Sequence, residues 1–409
     1  MQAHPSARED SARLKPRGSS QGGLRQYNER VVLQALRLHG ALPAAELARL
    51  TGLTAQTISL ITKHLLDEGL LRKGEPQRGK VGQPSVPLSL DPDGAFSVGI
   101  KIGRRSLDVL LVDFSGAPRE RWSLDYPFPE PQQVLAEIGA RLKDVDTRLG
   151  PSKRRRLQGV GIAAPLSMGG WQTLLGVDPA LAARWDAVNL KQAVAALTPL
   201  PVELLKDTAA ACVAELVAGR GRSVRSFLYV FVDTFIGGGL VLDSHLRAGL
   251  NGNAGAIGSM PLGLAGGRDA APPQLLSRAS LLNLEQRFLA AGLDGSAVGD
   301  ARAMQPPWLP HTQDWLQESA AAVALAMNSA ACLLDLEGVI VDGNFSRELQ
   351  AALLAATDAA AGRYSWEGVR RPRMLAGTIG SDARALGGAL LPLYANFAPD
   401  RELFLKDET

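Results

Sequence analysis

Short apolar runs of strand length alternate with segments of helical periodicity along most of the chain, and this alternation limits its fold more than any other feature. The turn 91–94 precedes two such runs, 96–102 and 107–114, whose four-residue separation predicts a hairpin. Strand–helix units follow the hairpin, and the same order then repeats. Such alternation is typical of α/β proteins with largely parallel sheets. The sequence therefore predicts an α/β body, residues 95–409, with two lobes around a cleft.

The remaining elements of the body follow from the same two periodicities. Helical segments have apolar residues three or four positions apart, and strands are short apolar runs. The last helix is expected to return to the first lobe. Strands are predicted at 121–126, 159–164, 202–205, 227–232 and 239–242, and helices at 131–148, 208–220, 274–291, 313–334, 346–362 and 381–394.

The chain ahead of the body has helical periodicity followed by two short strands. Apolar spacing predicts one helix over 24–39 and a second, after Pro43, that ends at the turn 51–53. Thr54 is expected to cap a third helix. Two apolar strands joined by a basic, Gly-rich loop come next. This order predicts a winged helix-turn-helix domain, residues 23–90.

The outward positions of the third helix are polar. Such side chains can hydrogen-bond to base edges or phosphates in the major groove, and basic residues of the loop can contact the DNA backbone or minor groove. The alternative is a solvated helix face. The residues predicted to bind double-stranded DNA are Thr54, Gln56, Thr57, Ser59 and Lys63 on the helix and Arg78, Lys80 and Gln83 on the wing.

Charge is distributed unevenly between the two predicted domains. Residues 1–90 hold 13 Lys and Arg against 7 Asp and Glu, whereas the remainder holds 31 against 34. A basic first fifth on a slightly acidic body indicates a polyanion-binding module. A basic disordered tail would give a similar imbalance, and residues 1–22, which are polar and Gly/Ser-rich, are predicted to be disordered.

Several other classes of protein are excluded by composition. No apolar run approaches the length that crosses a bilayer, and the first 21 residues have no apolar signal-peptide region. Cys212 and Cys332 give no disulfide framework and are expected to be core residues of a cytoplasmic protein.

Several short sequence blocks occur in a recognisable order along the chain. In the first domain the blocks are Tyr27-Asn28-Glu29-Arg30, Ala45-Glu46-Leu47-Ala48 and Thr51-Gly52-Leu53-Thr54. In the body they are Val98-Gly99-Ile100-Lys101-Ile102-Gly103, Gly161-Ile162-Ala163-Ala164-Pro165, Lys206-Asp207-Thr208-Ala209-Ala210, the stretch from Gly237 through Asn251-Gly252-Asn253-Ala254-Gly255-Ala256-Ile257-Gly258, and 380–390. These blocks resemble those of the ROK family of repressors, open reading frames and kinases. The resemblance covers about residues 24–397 and implies an actin/hexokinase-like fold, two α/β lobes with a ligand cleft.

The phosphate loops depart from those of the family's kinases. Lys101 stands where the kinases have an Asp that organises metal and phosphate, and a lysine could grip phosphate but cannot hold Mg²⁺. Phe235 replaces a glycine of the second loop, and Asp233 is expected to repel phosphate there. Asp207 matches the family's catalytic base, although it could equally cap the helix that follows. We therefore expect no catalytic residues and no kinase activity.

The sugar and zinc positions are altered as well. Ala256 and Ser259 stand where the family has a sugar-binding Glu and a zinc-binding His, and residues 262–274 contain no Cys or His. We expect neither metal nor cofactor. Loss of hydroxyl-binding groups and the cation of Lys206 favour a sugar derivative, sugar phosphate or other anionic ligand over a neutral hexose. The predicted ligand-binding residues are Lys206, Asp207, Asn251, Asn253, Ala256 and Ser259.

Three functions fit these features. The first is a transcription regulator, a repressor of carbohydrate-related genes, whose DNA affinity is set by ligand in the body. The second is a sugar kinase with a DNA-binding appendage. The third is a ligand-blind repressor that uses the body only to oligomerise. The resemblance implies a homodimer or homotetramer, and no membrane association is expected.

Overall fold

The computed structural model describes residues 21–76, 86–170, 172–265 and 271–399. Its first part has three helices, α1 (Gln21–His39), α2 (Ala44–Thr51) and α3 (Ala55–Asp67), and an antiparallel pair of strands, β1 (Leu71–Lys73) and β2 (Leu88–Leu90). Gly52 ends α2 with a φ of 67°, and the Thr54 side chain accepts a hydrogen bond from the Thr57 amide at the start of α3. The element order matches the one predicted for residues 23–90.

The first lobe of the body is a five-stranded sheet, in the order β5-β4-β3-β6-β7. Strands β3 to β5 are antiparallel neighbours, whereas β3, β6 and β7 run parallel. Helix α4 is kinked at Gly150, where the sequence predicted only a helix ending at 148. The elements are β3 (Phe96–Ile102), β4 (Ser106–Asp113), β5 (Pro118–Asp125), α4 (Pro131–Arg154), β6 (Leu157–Ala164), α5 (Gln172–Leu175), α6 (Pro179–Ala183), α7 (Leu190–Ala195) and β7 (Val202–Lys206).

The second lobe repeats this plan with the sheet order β10-β9-β8-β11-β12. One predicted helix, 274–291, is instead two, because Ser280 adopts extended backbone and its hydroxyl accepts a hydrogen bond from the Ile236 amide. The elements are α8 (Asp207–Ala218), β8 (Phe227–Val232), β9 (Gly237–Leu242), β10 (His245–Arg247), α9 (Leu276–Ala279), α10 (Leu281–Ala290), α11 (Leu309–Leu334), β11 (Gly338–Gly343), α12 (Arg347–Ala361), β12 (Arg373–Ala376) and α13 (Ala383–Phe397). No helix in these described ranges is both long enough and apolar enough to cross a membrane.

Helix α13 returns from the second lobe and packs against β3, β6 and α8. Its backbone touches theirs directly. A Cβ atom at Gly99 of β3 would lie 2.0 Å from the Ala385 carbonyl oxygen, and one at Gly387 would lie 1.7 Å from that of Ala210 in α8. Glycine is therefore required on both sides of this contact.

The three-helix unit is fastened to the body mainly through α1 and α13. Arg37 of α1 donates to the Phe114 carbonyl oxygen over 2.9 Å, and its guanidinium carbon lies 5.2 Å and 5.5 Å from the ring centroids of Phe114 and Tyr394. Arg222 of the second lobe donates to the Leu38 carbonyl oxygen over 2.6 Å. Buried apolar residues of α1 to α3 form one continuous cluster with those of α8 and α13. The two parts consequently share a core. Cys212 is buried in it, whereas Cys332, which was also expected to be a core residue, is exposed.

Candidate functional site

The outer face of α3 is polar, as the sequence predicted. Gln56, Ser59 and Lys63 are exposed, and so is Thr54, whose hydroxyl caps the helix and lies 2.9 Å from the Thr57 hydroxyl. Thr57 is partly buried. The three residues assigned to the wing, Arg78, Lys80 and Gln83, lie outside the described residues.

Leu60 belongs to the same outer face and was missed from the sequence. Its exposed fraction is 65%, whereas Ile58, Ile61 and Leu65 on the opposite side are buried. Because Leu60 lies two positions after Ile58, it falls outside the helical spacing of the buried residues. That mismatch was the available signal.

A cleft of about 470 Å³ lies between the two lobes. It collects five of the six predicted ligand-binding residues: Lys206, Asp207, Asn253, Ala256 and Ser259. The sixth, Asn251, is exposed and is not part of the cleft wall in the described structure. The Lys206 ammonium donates to Asn253 Oδ1 over 2.9 Å, so the two segments meet across the cleft.

Lys101 is buried below this cleft and is already paired. Its Nζ donates to Asp108 Oδ2 over 2.9 Å and to the Ser106 hydroxyl. Burial lowers the pKa of Lys101 and so does Arg384 nearby, whereas Asp108 and Asp233 act in the opposite direction. Lys101 therefore already has a carboxylate partner, and a contact between Lys101 and phosphate stays a prediction.

Asp233 forms a second buried ion pair. Its Oδ2 lies 2.5 Å from Arg384 Nη2, on the first turn of α13. Burial opposes the charge of Asp233, but Arg384 and then Lys101 outweigh it, and the pKa of this carboxyl lies below its ordinary value. The expected repulsion of phosphate by Asp233 needs correction, since Arg384 neutralises that charge.

Asp207 opens α8 at the edge of the cleft. Its Oδ1 accepts a hydrogen bond from the Thr208 amide over 2.7 Å. A carboxylate at a helix N-terminus is favourable without any catalytic role. The same side chain faces the cleft, so it remains available to a ligand hydroxyl.

Two arginines of the β3–β4 turn cross the cleft and were also missed from the sequence. Arg105 forms an ion pair of 2.6 Å with Glu285 of α10. Arg104 donates to the Ser167 carbonyl oxygen over 2.9 Å, and its guanidinium carbon lies 5.3 Å from the centroid of the Phe235 ring in the second lobe. Both side chains therefore join the lobes across the site.

The described ranges contain no group of three or more His, Cys, Asp or Glu that could hold a metal ion. The polar side chains that line the cleft are carboxylates, amides, hydroxyls and cations. Carboxylate, amide and hydroxyl groups suit a polyhydroxylated ligand, and the cationic side chains suit an anion.

Comparison with known proteins identifies relatives of this arrangement. The model of the ROK family matches residues 97–393. The xylose repressor of Bacillus subtilis (strain 168) is 23% identical over 246 residues, which cover 59% of this chain and 62% of the repressor.

Two solved structures are similar in fold. A crystal structure of a ROK family transcriptional regulator, homologue of the E. coli MLC protein, is 19% identical with a TM-score of 0.67, covering 92% of this chain and 97% of that one. A ROK family glucokinase from Streptomyces griseus, in complex with glucose and AMPPNP, is 20% identical with a TM-score of 0.58, covering 73% and 99%. The fold is thus one that regulators and sugar kinases share.

Proposed function

Because the chain belongs to the ROK family, we propose that it is a cytoplasmic, DNA-binding transcription regulator, a repressor of carbohydrate-related genes without kinase activity. In this proposal residues 23–90 are a winged helix-turn-helix that binds double-stranded DNA, and residues 95–409 bind a ligand and form a homodimer or homotetramer. The similarity to a xylose repressor and to a ROK regulator over 92% of the chain supports it.

The observation that carries the proposal is the presentation of α3. Its polar face is exposed, while α1 behind it is held on α13 by Arg37 and a shared apolar core. A helix supported in this way can enter a major groove with its side chains aimed at base edges. The bases would be contacted by Thr54, Gln56, Thr57, Ser59 and Lys63, with the wing residues on the backbone or minor groove.

In this proposal, ligand binding in the cleft controls DNA binding. A sugar-derived or anionic ligand would contact Lys206, Asp207, Asn253, Ala256 and Ser259, with Asn251 at the rim. Arg384 of α13 lines the same cleft, and the far end of α13 packs on α1. A ligand that changes the cleft therefore acts on the support of the DNA-binding helices.

The experiment for DNA binding starts from selection of duplexes out of a random library by the full chain. We expect a defined sequence to be enriched, and Gln56→Ala combined with Ser59→Ala to weaken its binding at least about tenfold, with little change on random DNA. Gln132→Ala, an exposed glutamine on α4, is the control and should bind as the wild type does. Failure to enrich any duplex would contradict the proposal.

Kinase activity is the competing function, because sugar kinases share the fold and Asp207 occupies the position of their base. We expect no ATP-dependent phosphorylation of hexoses or amino sugars above background, since the ion pairs Lys101–Asp108 and Arg384–Asp233 occupy the floor of the cleft where such loops would approach phosphate. Turnover that disappears in Asp207→Asn would establish the kinase. A regulator unaffected by any ligand would use its body only to oligomerise.

A further inference from the structure

Two cations in the cleft have no carboxylate partner in the described part of the chain. Lys101, Arg105 and Arg384 pair with Asp108, Glu285 and Asp233. Arg104 and Lys206 do not. The Lys206 ammonium donates to the neutral amide of Asn253, and Arg104 donates to a backbone carbonyl of Ser167.

Arg104 also retains an unused donor. Its Nε is buried and makes no hydrogen bond within the described residues. A buried guanidinium N–H without an acceptor is costly, and the cost is removed when an anion accepts from it. The guanidinium carbon lies 5.3 Å from the centroid of the Phe235 ring, a distance at which the ring attracts the cation.

The two cations share one carboxylate electrostatically. Burial lowers the pKa of both Arg104 and Lys206, and Asp207 opposes this shift in each case. One negative charge thus lies near two positive ones. The cleft wall also carries Asp125 outside the ion pairs, so its formal charges balance. An anion would be attracted locally, because Arg104 and Lys206 donate only to neutral oxygens of the described residues.

We propose that the cleft binds a carbohydrate bearing one anionic group, a carboxylate or a phosphate, and that Arg104 and Lys206 hold that group. Asp207 and Asn253 then face the hydroxyls of the ligand. A volume of about 470 Å³ accommodates a monosaccharide derivative. This inference rests on the proposed control of DNA binding by ligand, and it adds Arg104 as the residue that selects an acidic ligand over its neutral parent.

The test compares matched neutral and acidic sugars on the full chain by calorimetry and by melting temperature. The panel is glucose, glucuronate and glucose 6-phosphate, with the galactose counterparts and inorganic phosphate. We expect at least one acidic member to bind and to raise the melting temperature, and its neutral parent to bind at least about thirtyfold more weakly. The carboxylate and phosphate arms show which group is preferred.

Variants then assign the contact. Arg104→Gln is expected to weaken binding of the acidic ligand at least about thirtyfold, and to weaken binding of the neutral parent much less, because a desolvated charge partner is lost. Arg148→Gln removes the same charge from an exposed position on α4, and should bind as the wild type does. The Arg104→Gln protein is first checked for an unchanged circular dichroism spectrum, and Arg104→Lys serves as a second variant that keeps the charge and should restore part of the affinity.

Three outcomes would overturn the inference: no binding by any acidic member, equal binding of a neutral parent, or full affinity in Arg104→Gln. DNA binding without ligand is measured in parallel on the selected duplex. If the chain binds that duplex and these outcomes occur, the acidic-ligand inference fails alone. If the chain binds no duplex, the proposed function fails, whatever the ligands do.

Discussion

Single side chains determine what the cleft can do, and the two buried ion pairs at its floor illustrate this. Arg384 is only 7% exposed, and Lys101 only 5%. A buried cation is tolerated only while its carboxylate is present, so each pair is more costly to break than to replace as a whole. These residues therefore fix the floor of the cleft.

We predict that Asp233→Asn lowers the free energy of unfolding at neutral pH by about 3–5 kcal/mol, because Arg384 is left buried without its partner. The lowered pKa of Asp233 also makes the contribution of this pair depend on pH. It is fully present above the ordinary Asp pKa, about 4, and is lost as the pH falls through the native value.

Urea unfolding between pH 7 and pH 3 measures both effects. The difference between wild type and Asp233→Asn should shrink in the acid range. A difference that stays constant with pH would mean that Asp233 is not charged in the native protein.

Leu60 allows a second prediction at this scale. If α3 lies in a major groove, Leu60 contacts the methyl group of a thymine. Leu60→Ala is then expected to lower the affinity for the selected duplex about three- to fivefold. Replacing that thymine by uracil removes only the methyl and should cause the same loss, with no additional loss in the variant. Leu289→Ala, an exposed leucine on α10, is the control. Independent, additive losses would place Leu60 elsewhere.

At the scale of elements, α13 connects the parts of the molecule. Its first turn reaches the cleft through Arg384, its middle lies against β3, β6 and α8, and its last turn contacts α1 through Tyr394. The backbone contacts leave no space between helix and sheet, so displacement at one end is transmitted by a rigid body.

We predict that Gly387→Ala destabilises the protein by about 3 kcal/mol, because the new Cβ would lie 1.7 Å from the Ala210 carbonyl oxygen. Gly299→Ala is the matched control. No atom lies within 4 Å of a Cβ placed there, and its stability should be nearly unchanged. Thermal unfolding of both variants compares them, and equal melting temperatures would contradict the close contact.

The sequence predicted helices and strands better than it predicted which remote side chains contact each other. Strands β3 and β8 have the predicted bounds, because their apolar runs end at turn residues. Strands β11 and β12 were not predicted, since short apolar runs between long helices lack a distinct period. The break at Ser280 depends on Ile236, which is remote in sequence.

The candidate site shows the same limit. The cleft residues of loops that resemble the family could be named, but Arg104 and Arg105 lie in a turn that gave no signal. The pairing of Asp233 with Arg384 joins residues 151 positions apart, one just after β8 and the other in α13. Such pairings are set by topology, and a local pattern does not contain them.

At the scale of the whole molecule, the charge separates residues 1–90 from the body, but the apolar core does not. The basic surplus is confined to residues 1–90, whereas the apolar core runs without interruption from α1 into the body. The basic end of the molecule is therefore not mechanically separate from the body. Domain boundaries drawn from charge alone would miss the shared core.

We predict that the full chain is a dimer or tetramer and protects two half-sites about one helical turn of DNA apart, because two α3 helices related by a two-fold axis meet the same groove at that spacing. Light scattering over a dilution series and footprinting on the selected duplex measure this. A monomer that protects a single half-site would contradict it.

The contact of α1 with α13 has a consequence for the making of the protein. A ribosome releases α1 to α3 first. Tyr394 and Phe397 of α13, which complete the surface that α1 packs against, are among the last described residues to be synthesised. A nascent chain, or a chain truncated before α13, has the three helices without that packing surface. Only copies translated through α13 therefore have the complete apolar support on which α1 and α3 rest.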